Sequence, residues 1–301
     1  MTNIVTEYPV KTLDGLELLP AGTELTEEIL EELANKNTAA SYESLPFMDY
    51  GTIRQDIFIF INYTPYNIFF SDQKQLQDIL KVMEDVMLPL PVLDTMEYFK
   101  QNDFQTYRHS IMVFLISVLL ANKLLPEYRE LFSNVIISST HDIGKTNVPL
   151  EILKKQTPLT INEFKQLKHH AVAGYVLLTY FLRDENSFVA KLARDHHERR
   201  DGSGYPRGIE LNNRMVEIVA IADIYDALLM PRSYRPISYD NRTALEVITK
   251  MAEYGVIGWD VLKAIIAQNR ITKPNYQDIA IPEEERGKAP MGNTYGKIED
   301  D

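Results

Sequence analysis

The sequence predicts a mainly α-helical protein, with a small N-terminal α+β domain at residues 1–95 and a helical domain at residues 96–272. Three observations predict this class. Residues 96–270 carry apolar side chains at three- and four-residue spacing almost throughout, as amphipathic helices do. Residues 1–95 instead mix extended and helical patterns and contain no histidine. A chain of 301 residues that is 45% hydrophobic and 25% charged can bury a full core.

The N-terminal domain is predicted from three stretches. GLELLPAGTELTEEILEELANK predicts an extended piece, a Pro-Ala-Gly turn and a short helix with Thr26 as its N-cap. DIFIFINYTPYNIFF is rich in Ile, Phe and Tyr, which favours strands interrupted at Pro65. SDQKQLQDILKVMEDVM is amphipathic at helical spacing. No candidate catalytic cluster lies here, so we expect this domain to serve sensing, packing or formation of a homodimer.

The helical domain is predicted from seven segments with helical spacing. They cover residues 103–123, 127–140, 160–182, 186–198, 214–229, 240–253 and 258–268. Thr160 and Glu163 form a capping-box pattern at the start of the segment that carries His169 and His170. The longest apolar run, Ile111–Ala121, is shorter than the roughly 20 residues that cross a bilayer. It therefore predicts a buried helix.

Composition narrows the chemistry and the location. The chain has no cysteine, which removes disulfides and thiolate chemistry, so any metal must be bound by imidazole and carboxylate. A formal net charge of −12 disfavours general nucleic-acid binding. No basic segment followed by an apolar run opens the chain, so we expect a cytoplasmic protein without membrane insertion. Residues 273–301 are rich in Pro, Gly and charge, which predicts a flexible acidic tail, either solvated or docked on a partner.

All six histidines lie between residues 109 and 197. His141 and Asp142 are adjacent, and an imidazole beside a carboxylate offers two ligand types for Fe, Mn or Zn. A carboxylate can also bridge two ions, as a dinuclear hydrolytic site requires. Asp223 lies in the otherwise apolar stretch IVAIADIYDALLM, where a carboxylate should be paired or coordinated. The pattern predicts a metal site.

A series of motifs follows the histidines along most of the predicted helical domain. In order, they are His109; His141-Asp142-x-Gly144-Lys145; His170-x3-Gly174; His196-His197-Glu198-x2-Asp201-Gly202-x-Gly204-Tyr205-Pro206; Ala222-Asp223-x2-Asp226-Ala227; and Arg232-x-Tyr234-Arg235. This ordered set closely resembles the HD-GYP phosphodiesterases of the His-Asp metal-dependent phosphohydrolase superfamily. The resemblance implies an HD-type helical domain that hydrolyses a cyclic dinucleotide.

The resemblance also implies the ligands of two divalent ions, with Fe or Mn expected. The first ion would be held by His109, His141, Asp142 and Asp223, and Asp142 would bridge to a second ion held by His170, His196 and His197. His169 stands where the family usually has Lys or Arg, so we do not expect it to be a ligand. Some members bind a third metal through a Glu at the position of Gln105. An amide is a poorer ligand for a divalent ion, so two ions are expected.

For the substrate, the resemblance implies cyclic di-GMP, cut to pGpG and, after a second cut, to GMP. Lys145 follows Asp142 closely enough to reach a phosphate oxygen, and both are expected to be catalytic. Arg232 and Arg235 suit phosphates and purine faces. Tyr205 lies in a Gly-flanked turn that could present its ring to a guanine. Glu217 stands where the family often has Arg, which departs from the family pattern near the pocket.

Other functions remain open on the sequence alone. A second cyclic dinucleotide, 3′3′-cyclic GMP-AMP, is compatible with every motif. A module that binds the dinucleotide or a partner without turnover would also match, although every implied ligand is present. Another nucleotide phosphohydrolase of the superfamily would leave the Gly-Tyr-Pro loop and the paired histidines unexplained.

Overall fold

Helices make up most of the chain that the structure describes. The structure is a computed structural model. It describes residues 4–37, 42–126, 139–231, 235, 237–281, 286–291 and 298–299. Within these residues the α-helices are α1 Glu27–Lys36, α2 Ile53–Phe60, α3 Tyr66–Phe69, α4 Gln73–Glu84, α5 Leu90–Asn102, α6 Phe104–Leu124, α7 Leu150–Leu153, α8 Ile161–Lys168, α9 His170–Leu182, α10 Phe188–Asp195, α11 Arg214–Leu229, α12 Asn241–Glu253 and α13 Trp259–Gln268. The predicted mainly α-helical class is confirmed.

The strands in the described residues are two or three residues long and pair two by two. They are β1 Val10–Lys11, β2 Glu17–Leu19, β3 Ser44–Pro46, β4 Met87–Pro89, β5 Leu159–Thr160 and β6 Ile298–Glu299. β1 pairs with β2 and β3 with β4, both antiparallel, whereas β5 and β6 are parallel. Short 3₁₀ turns cover Phe47–Asp49, Ile143–Asn147 and Tyr276–Asp278.

Helix α6 lies at the centre of the core. Every residue from Thr106 to Ala121 is buried, and the helix packs against α5, α11 and α13. Although α6 is long and apolar enough to cross a membrane, 89% of its most apolar window is buried inside the protein. The prediction of a buried helix here is confirmed. A second packing unit forms where α9 meets α10 and the 3₁₀ turn at Ile143–Asn147.

Several predicted helix ends are confirmed in atomic detail. The Thr26 side chain accepts a hydrogen bond from the Ile29 backbone N–H at the start of α1. Thr160 and Glu163 form the predicted capping box at the start of α8. The helix predicted at 160–182 is, however, two helices, because His169 both ends α8 and begins α9. The segment predicted at 127–140 lies almost entirely outside the described residues.

The strands predicted around Pro65 are wrong. The segment folds as α2 and α3, with Pro65 at the N-cap of α3. Ile53, Ile57 and Phe60 are all buried on one face of α2, a spacing of four and three residues that suits a helix. Burial of that face outweighs the strand preference of Ile and Phe, which is a weak and context-dependent term.

The N-terminal segment shares its core with the helical domain. One cluster of buried apolar side chains runs from Val10 to Ile279, and α5 spans the proposed boundary at residue 95. The Gln268 side-chain amide donates to the Phe69 backbone carbonyl at 2.6 Å and to Gln75 Oε1 at 3.1 Å. The division into domains at residue 95 stays a prediction. So does the flexible tail, of which Ile279 is buried and Ile298–Glu299 pairs with β5.

We expect Gln268→Met to lower the free energy of unfolding by about 1–3 kcal/mol, because the buried Phe69 carbonyl would lose its side-chain donor. Gln101→Met is the matched control, since the Gln101 amide is exposed and, among the described residues, donates a hydrogen bond at 2.8 Å to Glu97 within its own helix. Urea unfolding of both variants checks this. Equal stability for the two variants would show that the Gln268 contact does not hold the N-terminal helices to α13.

Candidate metal centre and active-site cleft

The seven predicted metal ligands come together at one place in the fold. Their imidazole nitrogens and carboxylate oxygens form three overlapping groups, and within each group the ligand atoms lie within 4.8 Å of one another. The groups are His109, His141 and Asp223; His141, Asp142 and His196; and His170, His196 and His197. His169 belongs to none of the groups found among the described residues.

Helix ends deliver most of these side chains. His170 is the first residue of α9, and His196 and His197 directly follow the last turn of α10. His141 and Asp142 occupy the turn before the 3₁₀ helix at Ile143–Asn147. Because the helix ends at Asp195, the adjacent His196 and His197 can both face the candidate centre. His109 and Asp223 instead project from the interiors of α6 and α11, which pack against each other.

Asp142 lies between two of these groups, the one that contains His109 and the one that contains His170. It turns one carboxylate oxygen toward each. Its Oδ2 is 3.4 Å from His141 Nε2 and 3.8 Å from His109 Nε2. Its Oδ1 is 3.4 Å from His170 Nε2 and 4.0 Å from His196 Nε2. The carboxylate is only 2% exposed, so its charge is screened by these neighbours rather than by water. This is the disposition that a bridging carboxylate needs.

Three of the imidazoles are held with Nε2 turned inward by hydrogen bonds at Nδ1. The His109 Nδ1–H donates to Asp226 Oδ2 at 2.6 Å. The His170 and His196 Nδ1–H groups donate to the backbone carbonyls of Leu167 at 2.5 Å and Ala193 at 2.8 Å. Metal-binding histidines in proteins are fixed in the same way by a carboxylate or carbonyl. The donor set and its orientation therefore fit divalent metal ions.

The electrostatics favour the protonation states that bind metals. Burial lowers the pKa of His170 to about 4, and it holds the pKa values of His196 and His197 well below the ordinary value. Burial alone would raise the pKa of Asp142, but nearby Lys145 and the imidazoles bring it well below its usual value. The Asp223 pKa is also lowered, since hydrogen bonding and charge from His109 outweigh burial. Neutral imidazoles and ionised carboxylates are the ligating forms.

Asp226 is a member of the site to which sequence reasoning gave no role. Its carboxylate is fully buried and receives two hydrogen bonds from Arg108 Nη1, at 3.1 and 3.2 Å, and one from Arg108 Nη2 at 2.9 Å. It also accepts the His109 Nδ1–H. The sequence signal was its position three residues after Asp223, which puts both carboxylates on one face of a helix.

Glu198 is a second such residue, and it organises the Gly-Tyr-Pro loop. Its fully buried carboxylate accepts the backbone N–H groups of Arg207 at 2.7 Å and Ile209 at 3.2 Å. Gly204 packs so closely on this segment that an added Cβ would overlap the His197 carbonyl oxygen and lie 2.5 Å from Glu198 Cα. The loop is thereby fixed against the two adjacent histidines.

Three of the four predicted substrate residues, Lys145, Tyr205 and Arg235, line a cleft beside the candidate metal ligands. The lining includes both candidate metal ligands and predicted substrate residues: His109, Lys145, His170, His197, Tyr205, Asp223 and Arg235. Lys145 Nζ donates to Asp142 Oδ2 at 2.5 Å. The Tyr205 ring stacks on His197, with centroids 4.5 Å apart, and Lys168 Nζ lies 4.8 Å from the Tyr205 centroid. Aromatic and cationic groups thus lie beside the candidate metal centre.

Of the two predicted arginines, Arg235 lies in the described part of the chain. Arg235 is 3% exposed, and its Nη2 donates to the carbonyls of Ala227, Leu228 and Met230 at the end of α11. Its guanidinium therefore caps the carbonyl end of α11 and also lines the cleft. Arg232 lies outside the described residues. Gln105 lines the same cleft. Glu217 lies away from the cleft and is buried, and its Oε2 accepts a hydrogen bond from Arg214 Nη1 at 2.6 Å.

The HD domain family matches residues 104–257, just over half of the chain. The chain belongs to the HD domain family. The matched residues include all seven candidate ligands and the Gly-Tyr-Pro loop. Helices α1 to α5 lie before the matched region.

Curated relatives of this HD domain carry phosphodiesterase names. A "Cyclic di-GMP phosphodiesterase" of Thermotoga maritima is 33% identical over 54% of this chain and 45% of the relative. "Cyclic di-GMP phosphodiesterase PA4108" of Pseudomonas aeruginosa is 36% identical over 52% of this chain and 37% of the relative. A "3'3'-cGAMP-specific phosphodiesterase 1" of Vibrio cholerae is 34% identical over 57% and 38%. The resemblance predicted from the motifs is confirmed, and the matches span less than half the length of these relatives.

The close approach of Gly144 to α9 gives a test of what holds the candidate metal ligands in place. In Gly144→Ala the added Cβ would overlap the His170 carbonyl oxygen and lie 2.5 Å from Gly174 N. We expect a loss of about 2 kcal/mol of stability from overpacking, together with reduced metal content, because the turn at His141–Asp142 must move away from His170. Calorimetry and metal analysis measure both effects.

Gly174→Ala is the matched control on the other side of the same contact. Its Cβ would meet neighbours at 3.4–3.5 Å, which is ordinary contact, and alanine is favoured over glycine in a helix by about 1 kcal/mol. We expect normal metal content and equal or greater stability. Normal metal content in Gly144→Ala would show that this contact does not set the ligand positions.

Proposed function

We propose that this protein hydrolyses a cyclic dinucleotide in a metal-dependent reaction, with cyclic di-GMP as the first substrate. The observation that carries the proposal is Asp142, a buried carboxylate with one oxygen toward each of two imidazole groups. The names of the relatives support the substrate class. Two ions are proposed, iron or manganese, because nitrogen and oxygen ligands suit both metals.

The ligand assignment follows the groups in the fold. His109, His141 and Asp223 would hold one ion, His170, His196 and His197 the other, and Asp142 would serve both. Bound divalent ions at such a site polarise a phosphodiester and make water a stronger nucleophile at neutral pH. Water oxygen would form the new bond to phosphorus while the bond from phosphorus to the 3′-oxygen breaks. The water proton would be passed to the leaving oxygen, so that linear pGpG forms, and a second cut would give GMP.

Protein side chains would position the dinucleotide around this centre. Lys145 lies beside Asp142 at 2.5 Å, where its charge would meet a phosphate oxygen of the substrate. The Tyr205 ring lies on His197 and lines the cleft, so it would contact a base or sugar next to the cleaved bond. Arg232 and Arg235 are proposed as further contacts for phosphate or purine, with Arg235 acting from the end of α11. Cytoplasmic location and a homodimer stay predictions.

A second cyclic dinucleotide is a specific alternative. The relative from Vibrio cholerae named for 3′3′-cGAMP is 34% identical, close to the identities of the cyclic di-GMP relatives. The two substrates differ in one purine, and hydrogen-bonding pockets separate such bases by transition-state binding. Parallel turnover of both dinucleotides decides between them.

Replacement of the bridging candidate tests the proposal directly. We expect anaerobically purified wild-type protein to contain about two metal ions per chain and to convert cyclic di-GMP to pGpG. Asp142→Asn should lose metal and at least 100-fold in kcat, because an amide cannot supply two charged oxygens. Iron, manganese and zinc analysis with chromatography of the products measures both. His169→Gln is the control, since His169 lies beside the cluster without joining a ligand group.

The outcomes separate the alternatives. Metal without turnover of either dinucleotide would favour a binding module, and a wild-type protein that takes up no metal would rule out the mechanism. Three ions per chain would show that Gln105 does not limit the centre to two.

Lys145→Met separates phosphate contact from metal binding. We expect kcat to fall about 100-fold through loss of one charged donor, with metal content close to that of the wild type. Lys191→Met is the control, because the Lys191 amino group contacts only the exposed Asn186, at 3.3 Å, among the hydrogen bonds described. Steady-state kinetics with metal analysis distinguishes the two roles. A parallel loss of metal would mean that Lys145 acts by stabilising the ionised Asp142 carboxylate.

A further inference from the structure

Tyr66 connects the N-terminal segment to the candidate metal centre. It is the first residue of α3 and is fully buried. Its hydroxyl donates to Asp226 Oδ1 at 2.5 Å, and the opposite oxygen of the same carboxylate accepts the His109 Nδ1–H at 2.6 Å. A continuous chain of hydrogen bonds therefore runs from α3 through α11 to a candidate ligand on α6.

Further contacts hold Tyr66 in this position. The Arg108 guanidinium lies 5.4 Å from the Tyr66 ring centroid, and its Nη2 donates to the Tyr66 hydroxyl oxygen at 3.3 Å. The other end of α3 is held too, because the Phe69 carbonyl accepts a hydrogen bond from the Gln268 amide at 2.6 Å and the Phe69 ring packs on Tyr225, with centroids 5.7 Å apart. Neither end of the hydrogen-bond chain is exposed to solvent.

We propose that Tyr66 is a positioning residue for the metal centre, so that a segment outside the matched HD domain region fixes the ligand geometry of the His109 group. The inference rests on the proposed metal binding by His109. The hydrogen-bond donors around Asp226 determine the orientation of its carboxylate. Arg108 bonds to both oxygens, whereas Tyr66 bonds to Oδ1 alone. Tyr66 thereby helps to leave Oδ2 directed at His109.

Tyr66→Phe removes this hydroxyl and keeps the ring. Partners outside the ligand shell typically change metal affinity by about 10–100-fold when lost, and Arg108 remains, so we expect about a tenfold weaker affinity for one of two Mn²⁺ ions. The other ion, proposed to be held by His170, His196 and His197, should keep its affinity. Titration of metal-free protein with Mn²⁺, with free Mn²⁺ followed by electron paramagnetic resonance, resolves the two affinities.

Tyr225→Phe is the matched control. Tyr225 is equally buried and adjoins Asp226 in sequence, but its hydroxyl bonds to Asn241 at 2.8 Å and Asn269 at 2.9 Å. This variant also loses a buried hydroxyl, so it should show a similar fall in melting temperature with unchanged Mn²⁺ affinities. A double-mutant cycle with Asp226→Asn completes the design, since the effect of Tyr66→Phe should vanish when the carboxylate through which it acts is gone.

The results separate this inference from the proposed function. Unchanged Mn²⁺ affinity in Tyr66→Phe, an equal loss in Tyr225→Phe, or a full Tyr66→Phe effect in the Asp226→Asn background would each overturn the positioning role alone. A wild-type protein that takes up neither Mn²⁺ nor Fe²⁺ would overturn the proposed function and this inference with it.

Discussion

Burial of charged and polar groups at one point is the constraint on which the rest of the structure depends. Asp142, Asp223 and Asp226 lie among imidazoles in the interior, where an isolated carboxylate would be strongly disfavoured. Each carboxylate is instead matched: Asp226 by Arg108, Asp142 by Lys145, and Asp223 by His109. Cations bound at the proposed centre would balance the rest of this buried negative charge. The surrounding helices are therefore arranged around a polar centre as much as around an apolar core.

The helical framework meets this constraint by bringing its ends to the centre. His170, His196 and His197 lie at helix ends, and the backbone carbonyls of the preceding turns accept the outward Nδ1–H groups of His170 and His196. Ligand orientation there is a consequence of helix geometry, because a carbonyl three residues earlier is within reach of the side chain. His109, a candidate ligand from the interior of α6, is instead held by a side chain, the Asp226 carboxylate.

The residues that the sequence predicted as metal ligands lie together in the fold, because the motifs that contain them are local and their spacing is informative. Their role as ligands stays a prediction. His141 with Asp142, and His196 with His197, are adjacent in the chain, so the two members of each pair reach the same part of the fold together. Asp226 and Glu198 were quoted within the motifs, but their roles depend on contacts with Arg108, Arg207 and other partners that only the fold defines. Tyr66 could not be predicted, since it lies 160 positions from Asp226 in a segment whose Ile and Phe content indicated strands. That segment became helical because its apolar side chains also fit one helix face.

The contact at Gly144 has a consequence for how metal preference can change. The turn at His141–Asp142 and the start of α9 meet backbone to backbone, with no room for a side chain between them. The separation between the two ligand groups is accordingly a property of the main chain. Replacement of an imidazole by a carboxylate would make the ligand set of one group harder, but it would leave the distance between the two groups unchanged. At the proposed centre, the choice of metal and the distance over which a substrate phosphate would be held could thus change independently in evolution or in redesign.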